Sequence, residues 1–185
     1  DKFAISNEGN SVPVLSREVD LYPEDLLNCE SLDEKPDHRW WALYTLSHRE
    51  KDLMRKLCAR GIAFYGPTIP KRSRTPKGRV FTSYVPLFPN YVFLHGEEQD
   101  RYTAVSLGCV SKCLRVVDGA ELARDLAVIW RLTLGDALLT PESRLTAGHR
   151  VRVRSGPFRD CEGTILRRNG QTRLVVAVNF LQQGA

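Results

Sequence analysis

Cysteine and histidine are the residue types in this 185-residue chain that could most directly support catalysis or metal binding. A cysteine nucleophile needs a neighbouring base, and Cys109, Cys113 or Cys161 could be paired on paper with His95 or His149. No Gly-rich phosphate loop, nucleophile elbow or pair of catalytic carboxylates accompanies them in the sequence. A zinc site at Cys109-x-x-x-Cys113 lacks a second pair of ligands. The sequence therefore predicts a protein that is not an enzyme and that needs no metal or other cofactor.

Cysteine usage and hydropathy indicate the compartment. Five cysteines without framework spacing favour reduced thiols over a disulfide scaffold. No run of 18 apolar residues predicts a transmembrane helix, and no basic-then-apolar leader is visible. We expect a cytoplasmic protein without a membrane partner.

Lysine and arginine side chains offer a second chemistry, the neutralisation of phosphate groups. Residues 1–38 contain ten acids and three bases, net −7, whereas residues 39–185 contain 24 bases and 12 acids, net +12. One segment combines five cations with no acid, and it is predicted to be a hairpin arm: Lys71, Arg72, Arg74, Lys77 and Arg79. This pattern favours a surface that meets nucleic acid, although a solvated hairpin would show the same composition.

The elements that would position these residues indicate an α+β protein with four segments. They are an acidic extension (1–38), a compact domain (39–135), a linker (136–147) and a small all-β domain (148–185). Within the extension, the apolar group around Leu21–Leu27 is equally consistent with a docked turn or short helix and with a partly ordered tail.

The compact domain is predicted to be an antiparallel sheet covered by helices. Trp40–Thr45 has the aromatic composition of a central strand. Ser47 is expected to cap the next helix in a capping box with Glu50, and Gly61 to end it. The remaining predicted strands are 62–65, 80–85, 91–94 and 113–117, and the remaining helices are 97–107 and 120–134.

The last 38 residues have the pattern of a small barrel. Val151 and Val153 alternate with arginines, as in a strand with one buried face. Asn169-Gly170 is a strong hairpin signal between predicted strands 164–168 and 173–181. An obvious last strand, which would close the edge of the barrel, is lacking before Ala185.

Two motifs in this order resemble the NusG family of transcription elongation factors. The first is Leu87-Phe88-Pro89-Asn90-Tyr91-Val92-Phe93, in which Asn90 is more similar to the specialised RfaH-like paralogues. The second is the KOW-like pattern from Val151 through Gly156-Pro157-Phe158 to Gly163. The resemblance implies an NGN-type domain followed by an SH3-like KOW barrel.

The resemblance also implies roles for particular residues. The polymerase-binding pocket, which receives the β′ clamp helices while the domain bridges towards the β subunit, would comprise Tyr44, Leu87, Phe88, Pro89, Tyr91 and Phe93. Contacts with non-template or upstream DNA would come from the arm and from the first helix, at His48, Arg49, Lys51 and Arg55. In the barrel, a ribosomal protein or termination factor would meet Phe158, Arg159, Arg167 and Arg168.

The principal alternative is a KOW-type RNA-binding ribosomal or translation protein. The aromatic first strand and the Phe88–Phe93 segment favour the transcription factor, since a ribosomal KOW protein has no use for a clamp-helix pocket. For each aromatic residue, simple core packing is an equally serious interpretation.

Overall fold

The computed structural model describes residues 17–28, 37–76, 78–135, 139, 149–154, 159, 161–168, 171–181 and 183–184. In the first part of the chain the elements are β1 (Leu21–Tyr22), β2 (Arg39–Thr45), α1 (Glu50–Cys58), β3 (Ala63–Tyr65), β4 (Thr68–Arg74), β5 (Val80–Pro86), β6 (Tyr91–Gly96), α2 (Glu98–Ser106), β7 (Val110–Arg115) and α3 (Gly119–Leu134). The carboxy-terminal part contains β8 (His149–Arg152), β9 (Glu162–Arg168), β10 (Gln171–Val175), β11 (Ala177–Val178) and β12 (Gln183–Gly184). No helix of the described residues is both long and apolar enough to cross a membrane.

A five-stranded antiparallel sheet of order β1-β3-β6-β2-β7 organises the first domain. Because successive side chains on a strand point to opposite faces, β2 contributes to two separate cores. Trp40 and Ala42 pack in the core that contains Leu126 of α3. Trp41 and Leu43 pack in the core that contains residues of α1 and α2. This α+β arrangement of one antiparallel sheet between helices fits the NGN-type fold.

Helix α1 begins later than the sequence predicts, and the expected capping box at Ser47 is wrong. The helix starts at Glu50, with Arg49 at the N-cap position and no side-chain cap. The Glu50 carboxylate, which the box required to turn back to Ser47, is buried and accepts a hydrogen bond from the Asn90 N–H at 2.9 Å. At the other end the prediction holds, because Gly61 has a φ of +67° and the N–H of Ile62 returns to the Leu57 carbonyl at 3.1 Å.

The last strand and helix of the first domain differ from prediction in their boundaries. Strand β7 covers Val110–Arg115 rather than 113–117, and Val117 is 97% exposed. Helix α3 starts one residue earlier than expected, at Gly119. The Asp118 carboxylate caps it by accepting a hydrogen bond from the Glu121 N–H at 2.7 Å.

Part of the acidic amino-terminal segment packs against the sheet. Leu21 and Tyr22 form the edge strand β1, where they pair with Tyr65 and Phe64. Leu26 and Leu27 are buried in the α3-side core. The apolar group is therefore a strand followed by a turn, rather than a short helix or a partly ordered tail.

The carboxy-terminal strands form a three-stranded antiparallel sheet of order β10-β9-β8 and a two-stranded pair, β11-β12. Arg168 pairs with Gln171, as the Asn169-Gly170 hairpin signal predicts. The predicted strand 173–181 is divided into β10, β11 and a 3-10 turn at Asn179–Leu181. A short strand, Gln183–Gly184, pairs with Ala177–Val178, but this pair is separate from the three-stranded sheet, so the expectation that a closing strand is lacking stays a prediction. Val176 and Val178 join the core formed by α3.

Candidate functional site

A pair of tyrosines marks one end of the two central strands. Tyr44 on β2 and Tyr91 on β6 are register partners on the α3 side of the sheet. Their rings meet edge to face, with centroids 5.1 Å apart and an interplanar angle of 74°. Both side chains are half-buried, and burial, with a smaller contribution from Tyr44, raises the pKa of Tyr91. The pair therefore presents aromatic surface while being held in a defined geometry.

Three other residues predicted to bind the polymerase lie in the core. Leu87, Phe88 and Phe93 are each at most 1% exposed. The rings of Phe88 and Phe93 also meet edge to face, at 6.4 Å and 85°. In this structure they belong to the buried core against which Tyr91 packs, rather than offering surface themselves. Of the predicted group, Tyr44, Pro89 and Tyr91 are accessible from outside.

The turn before β6 fixes the position of Tyr91. Asn90 has a φ of +66°, in the left-handed region where asparagine is favoured over most residues. Its N–H donates to Glu50 Oε1, and its carbonyl accepts from the Thr45 N–H at 2.8 Å. The sequence analysis assigned Glu50 only to a capping box and missed this second role. The hydrogen bond of Glu50 to Asn90 joins the first turn of α1 to the tyrosine end of the sheet.

The cations predicted on the first helix are partly neutralised. Arg49 pairs with Asp52 at 3.2 Å, and Arg55 pairs with Glu18 at 2.7 Å. His48 is exposed with a φ of +59°, and Lys51 is half-buried and makes no ion pair within the described residues. This surface is less positive than the sequence indicates, because Glu18 comes from the distant acidic segment.

The basic arm is a two-stranded antiparallel hairpin that forms its own sheet. Arg72 pairs with Thr82, and Arg74 with Val80, so that no carboxylate faces either arginine across the hairpin. Within the described residues, no ion pair is made by Lys71, Arg72 or Arg74, and all three are exposed. Arg79 is exposed as well, and Lys77 lies outside the described residues. Lys71, Arg72 and Arg74 are thus available to an anionic partner.

Residues 38–124, from the residue before β2 to the first half of α3, match the family model of the transcription termination factor NusG. The match supports membership of the NusG family. It also supports a role in transcription termination or elongation in general, and an interaction with RNA polymerase in general. No curated protein matches the chain.

Beyond the segment that matches NusG, the predicted barrel residues are described only in part. Arg167 and Arg168 lie in β9, Arg159 is exposed, and Phe158 lies outside the described residues. At the start of β9, Arg152 donates two hydrogen bonds to Glu162 Oε1 across the β8–β9 pair. That guanidinium lowers the pKa of the Glu162 carboxyl.

Among the described residues, the buried Cys109 thiol contacts a carboxylate and an ammonium group rather than an imidazole. Cys109 is buried, with Sγ 3.3 Å from Asp52 Oδ2 and 3.4 Å from Lys56 Nζ. Burial raises the pKa of the Cys113 thiol, which disfavours the nucleophilic thiolate. Among the described residues, no three His, Cys, Asp or Glu side chains are grouped so that they could hold a metal ion.

Proposed function

We propose that the chain is a transcription elongation and antitermination factor that binds RNA polymerase through its NGN-type domain. The observation that carries this proposal is the half-buried Tyr44–Tyr91 pair, which lies inside the segment that matches the NusG family. Aromatic side chains that are held rigidly but remain partly accessible give large contact area at low entropic cost, as interface anchors require.

The proposed contact is with the β′ clamp helices of the polymerase, and the domain extends from there towards the β subunit. Tyr44, Pro89 and Tyr91 provide the surface, while Leu87, Phe88 and Phe93 form the packed support under it. By joining two parts of the polymerase, the factor favours a closed clamp and suppresses pausing. This function needs no catalytic residue and no cofactor, so we propose that the protein is not an enzyme.

The basic arm gives the proposed factor its contact with upstream or non-template DNA. Lys71, Arg72 and Arg74 are exposed and make no ion pair within the described residues, so phosphates can neutralise them. The first helix contributes less, because Arg49 and Arg55 are already paired with acids.

The carboxy-terminal strands are proposed to be a KOW-type barrel that recruits a ribosomal protein or a termination factor. The antiparallel β8-β9-β10 sheet supports this assignment. Asn90 in the turn before β6 supports a specialised, RfaH-like paralogue.

The alternative of a ribosomal or translation protein remains a separate hypothesis. This hypothesis attributes RNA binding to the carboxy-terminal strands, and it gives the tyrosine pair no binding role. The family match favours the transcription factor, since it lies entirely in the preceding domain.

The test is a pull-down of purified RNA polymerase by the full chain and two tyrosine variants. Tyr91→Ala should weaken binding by at least about tenfold, because loss of an interface anchor costs about 2 kcal/mol. Tyr102→Ala is the matched control, since Tyr102 is 58% exposed on α2, on the opposite side of the sheet, and should bind like the parent. Unchanged binding by Tyr91→Ala, or binding of ribosomal RNA without binding of polymerase, would contradict the proposal.

A further inference from the structure

A cleft of about 650 Å³ lies at the other end of β2 and β6 from the tyrosine pair. Strands β2, β6 and β7 provide one wall, and the first two turns of α3 provide the other. The α3 wall consists mainly of small residues, namely Gly119, Ala120, Ala123 and Ala127. The volume lies within the range of about 300–1,000 Å³ that is typical of ligand sites.

The residues that line this cleft carry several positive charges. Arg39, Arg115 and Arg124 line it from three different elements, and no acidic side chain is among the described residues that line it. All three arginines are exposed, and none makes an ion pair within the described part of the chain. Glu97 Oε1 lies 3.6 Å from Nε2 of His38, which also lines the cleft. Three guanidinium groups outweigh this one carboxylate and leave a positive potential, which an anionic ligand would neutralise.

Aromatic rings form the inner part of the same cleft. The His95 ring lies 4.9 Å from the Trp40 ring and 5.4 Å from the His38 ring, measured between centroids. Trp40 is buried, whereas the two imidazoles are half-buried and therefore accessible. The start of α3 packs closely on this group, because a Cβ at Gly119 would lie 3.2 Å from Trp40 Cδ1. The packing holds the rings in place beside the open side of the cleft.

We propose that this cleft is a binding site for single-stranded nucleic acid. The arginines bind successive phosphates of the strand, and a base stacks on the accessible part of the half-buried imidazoles. Arginine for phosphate and an aromatic or histidine ring for the base are the two components of single-strand recognition in proteins. A site for phosphate alone would have no use for the ring cluster, and a site for an apolar ligand would not be surrounded by unpaired guanidinium groups.

The site is separate from both surfaces of the proposed function. Trp40 and Tyr44 are four residues apart on β2, so the cleft and the tyrosine pair are about 13 Å apart along the strand. The residues that line the cleft include none of those proposed to contact the polymerase or to form the basic arm.

Fluorescence anisotropy with labelled eight-nucleotide RNA and DNA strands tests the proposal on the full chain. The double variant Arg115→Gln/Arg124→Gln should bind either strand about tenfold more weakly. Its plot of log affinity against log salt should be less steep by about 1.4, which is the contribution of two phosphate contacts in a single strand. The double variant Arg60→Gln/Arg131→Gln is the matched control, because it removes two exposed arginines that do not line the cleft.

Three results would overturn the proposal. The first is equal loss of affinity in the two double variants, which would assign the effect to net charge. The second is displacement of the strand by uridine monophosphate at the same micromolar concentrations, which would indicate a free nucleotide as the ligand. The third comes from ultraviolet crosslinking of a strand that contains 5-bromouracil. Crosslinks should map to residues 38–40, 95 or 115–124, and crosslinks confined to the basic arm would contradict the assignment.

Discussion

Each end of the β2–β6 strand pair carries one pair of aromatic or imidazole side chains on the same face of the sheet. The two ends differ in the side chains that surround this pair. At one end, Tyr44 and Tyr91 meet edge to face beside a turn that carries no cation among residues 87–90. At the other end, Trp40 and His95 pair in the same register, but guanidinium groups surround them. Under the two proposals, the flanking residues, rather than the strands, decide whether an aromatic pair binds a protein partner or a nucleic-acid strand.

Both ends rest on a shared centre. Phe93 lies between Tyr91 and His95 on the same face of β6, and it is fully buried against Phe88. A change at the centre should therefore disturb both ends together, whereas a change at one end should leave the other intact.

The largest expected effect comes from Phe93→Ala, which removes the shared support. Truncation of a buried phenylalanine costs about 3–5 kcal/mol in free energy of unfolding, because the lost contacts leave a cavity. Chemical denaturation should show this loss, and binding of polymerase and of single strands should fall together.

Phe81→Ala is the control for this substitution, because Phe81 is 46% exposed on the arm. It should change the free energy of unfolding by less than about 1 kcal/mol. A Phe93→Ala protein that is as stable as the Phe81→Ala protein would show that the two ends are not coupled through the core.

Glu50→Ala should affect the tyrosine end of the strand pair and leave the cleft at the other end unchanged. It removes the buried acceptor of the Asn90 N–H, and an unsatisfied buried donor costs about 1–3 kcal/mol. Because Asn90 positions Tyr91, polymerase binding should weaken, whereas single-strand binding by the folded fraction should stay at the parental level.

Glu50→Gln keeps an acceptor oxygen at this place and should recover most of the stability. Denaturation curves and the two binding assays on the same preparations check both variants. Equal stability of the alanine and glutamine variants would mean that the hydrogen bond to Asn90 contributes nothing.

The sequence predicts one end of this comparison far better than the other. The family resemblance groups Tyr44, Tyr91 and Phe93, and in the structure the three residues lie on one face of the sheet. The sequence does not predict that Phe93 is buried and Tyr91 half-buried, since this depends on how Phe88 and α3 cover the sheet.

Local rules fail where a distant contact competes with them. The capping box at Ser47 satisfies a sequence pattern, but Glu50 is used by Asn90, 40 residues away. Likewise, Arg39, Arg115 and Arg124 come from separate elements and form no motif in the sequence. Only the sheet order, which places β7 and α3 beside the start of β2, brings them around one cleft.

Substitutions in the basic arm should have a smaller effect, and they test which arginines bind which nucleic acid. Arg72→Glu/Arg74→Glu should weaken crosslinking of the protein to DNA in an elongation complex by several-fold, because each exposed arginine can neutralise a phosphate. Neither end of the β2–β6 pair includes the arm, so short single strands should bind with nearly parental affinity. Unchanged crosslinking would remove the arm from the nucleic-acid-binding surface, and equal loss of short-strand binding would place those strands on the arm.

The smallest effect is expected from Asp52→Asn, on the side of the sheet away from both ends. Lys56, which donates a hydrogen bond to Asp52 at 3.1 Å, is the main reason that the pKa of this carboxyl is lowered, and Cys109 contributes as well. A carboxyl with a lowered folded-state pKa contributes stability that is fully present above its unfolded pKa of about 3.9. This contribution is lost as the pH falls through the folded-state value. The parent should therefore lose more stability than Asp52→Asn between about pH 5 and pH 2.

Denaturation midpoints measured across this pH range check the prediction, with Glu24→Gln as a control at an exposed carboxylate that makes no ion pair within the described residues. At neutral pH, Asp52→Asn should be slightly less stable than the parent and should bind polymerase and single strands equally well. The reason is that Asp52 lies in the layer formed by α1, and its recorded partners are Arg49, Arg55, Lys56 and Cys109. A selective loss at either end would mean that the α1 layer, and not only the α3 face, determines how the two aromatic pairs are presented.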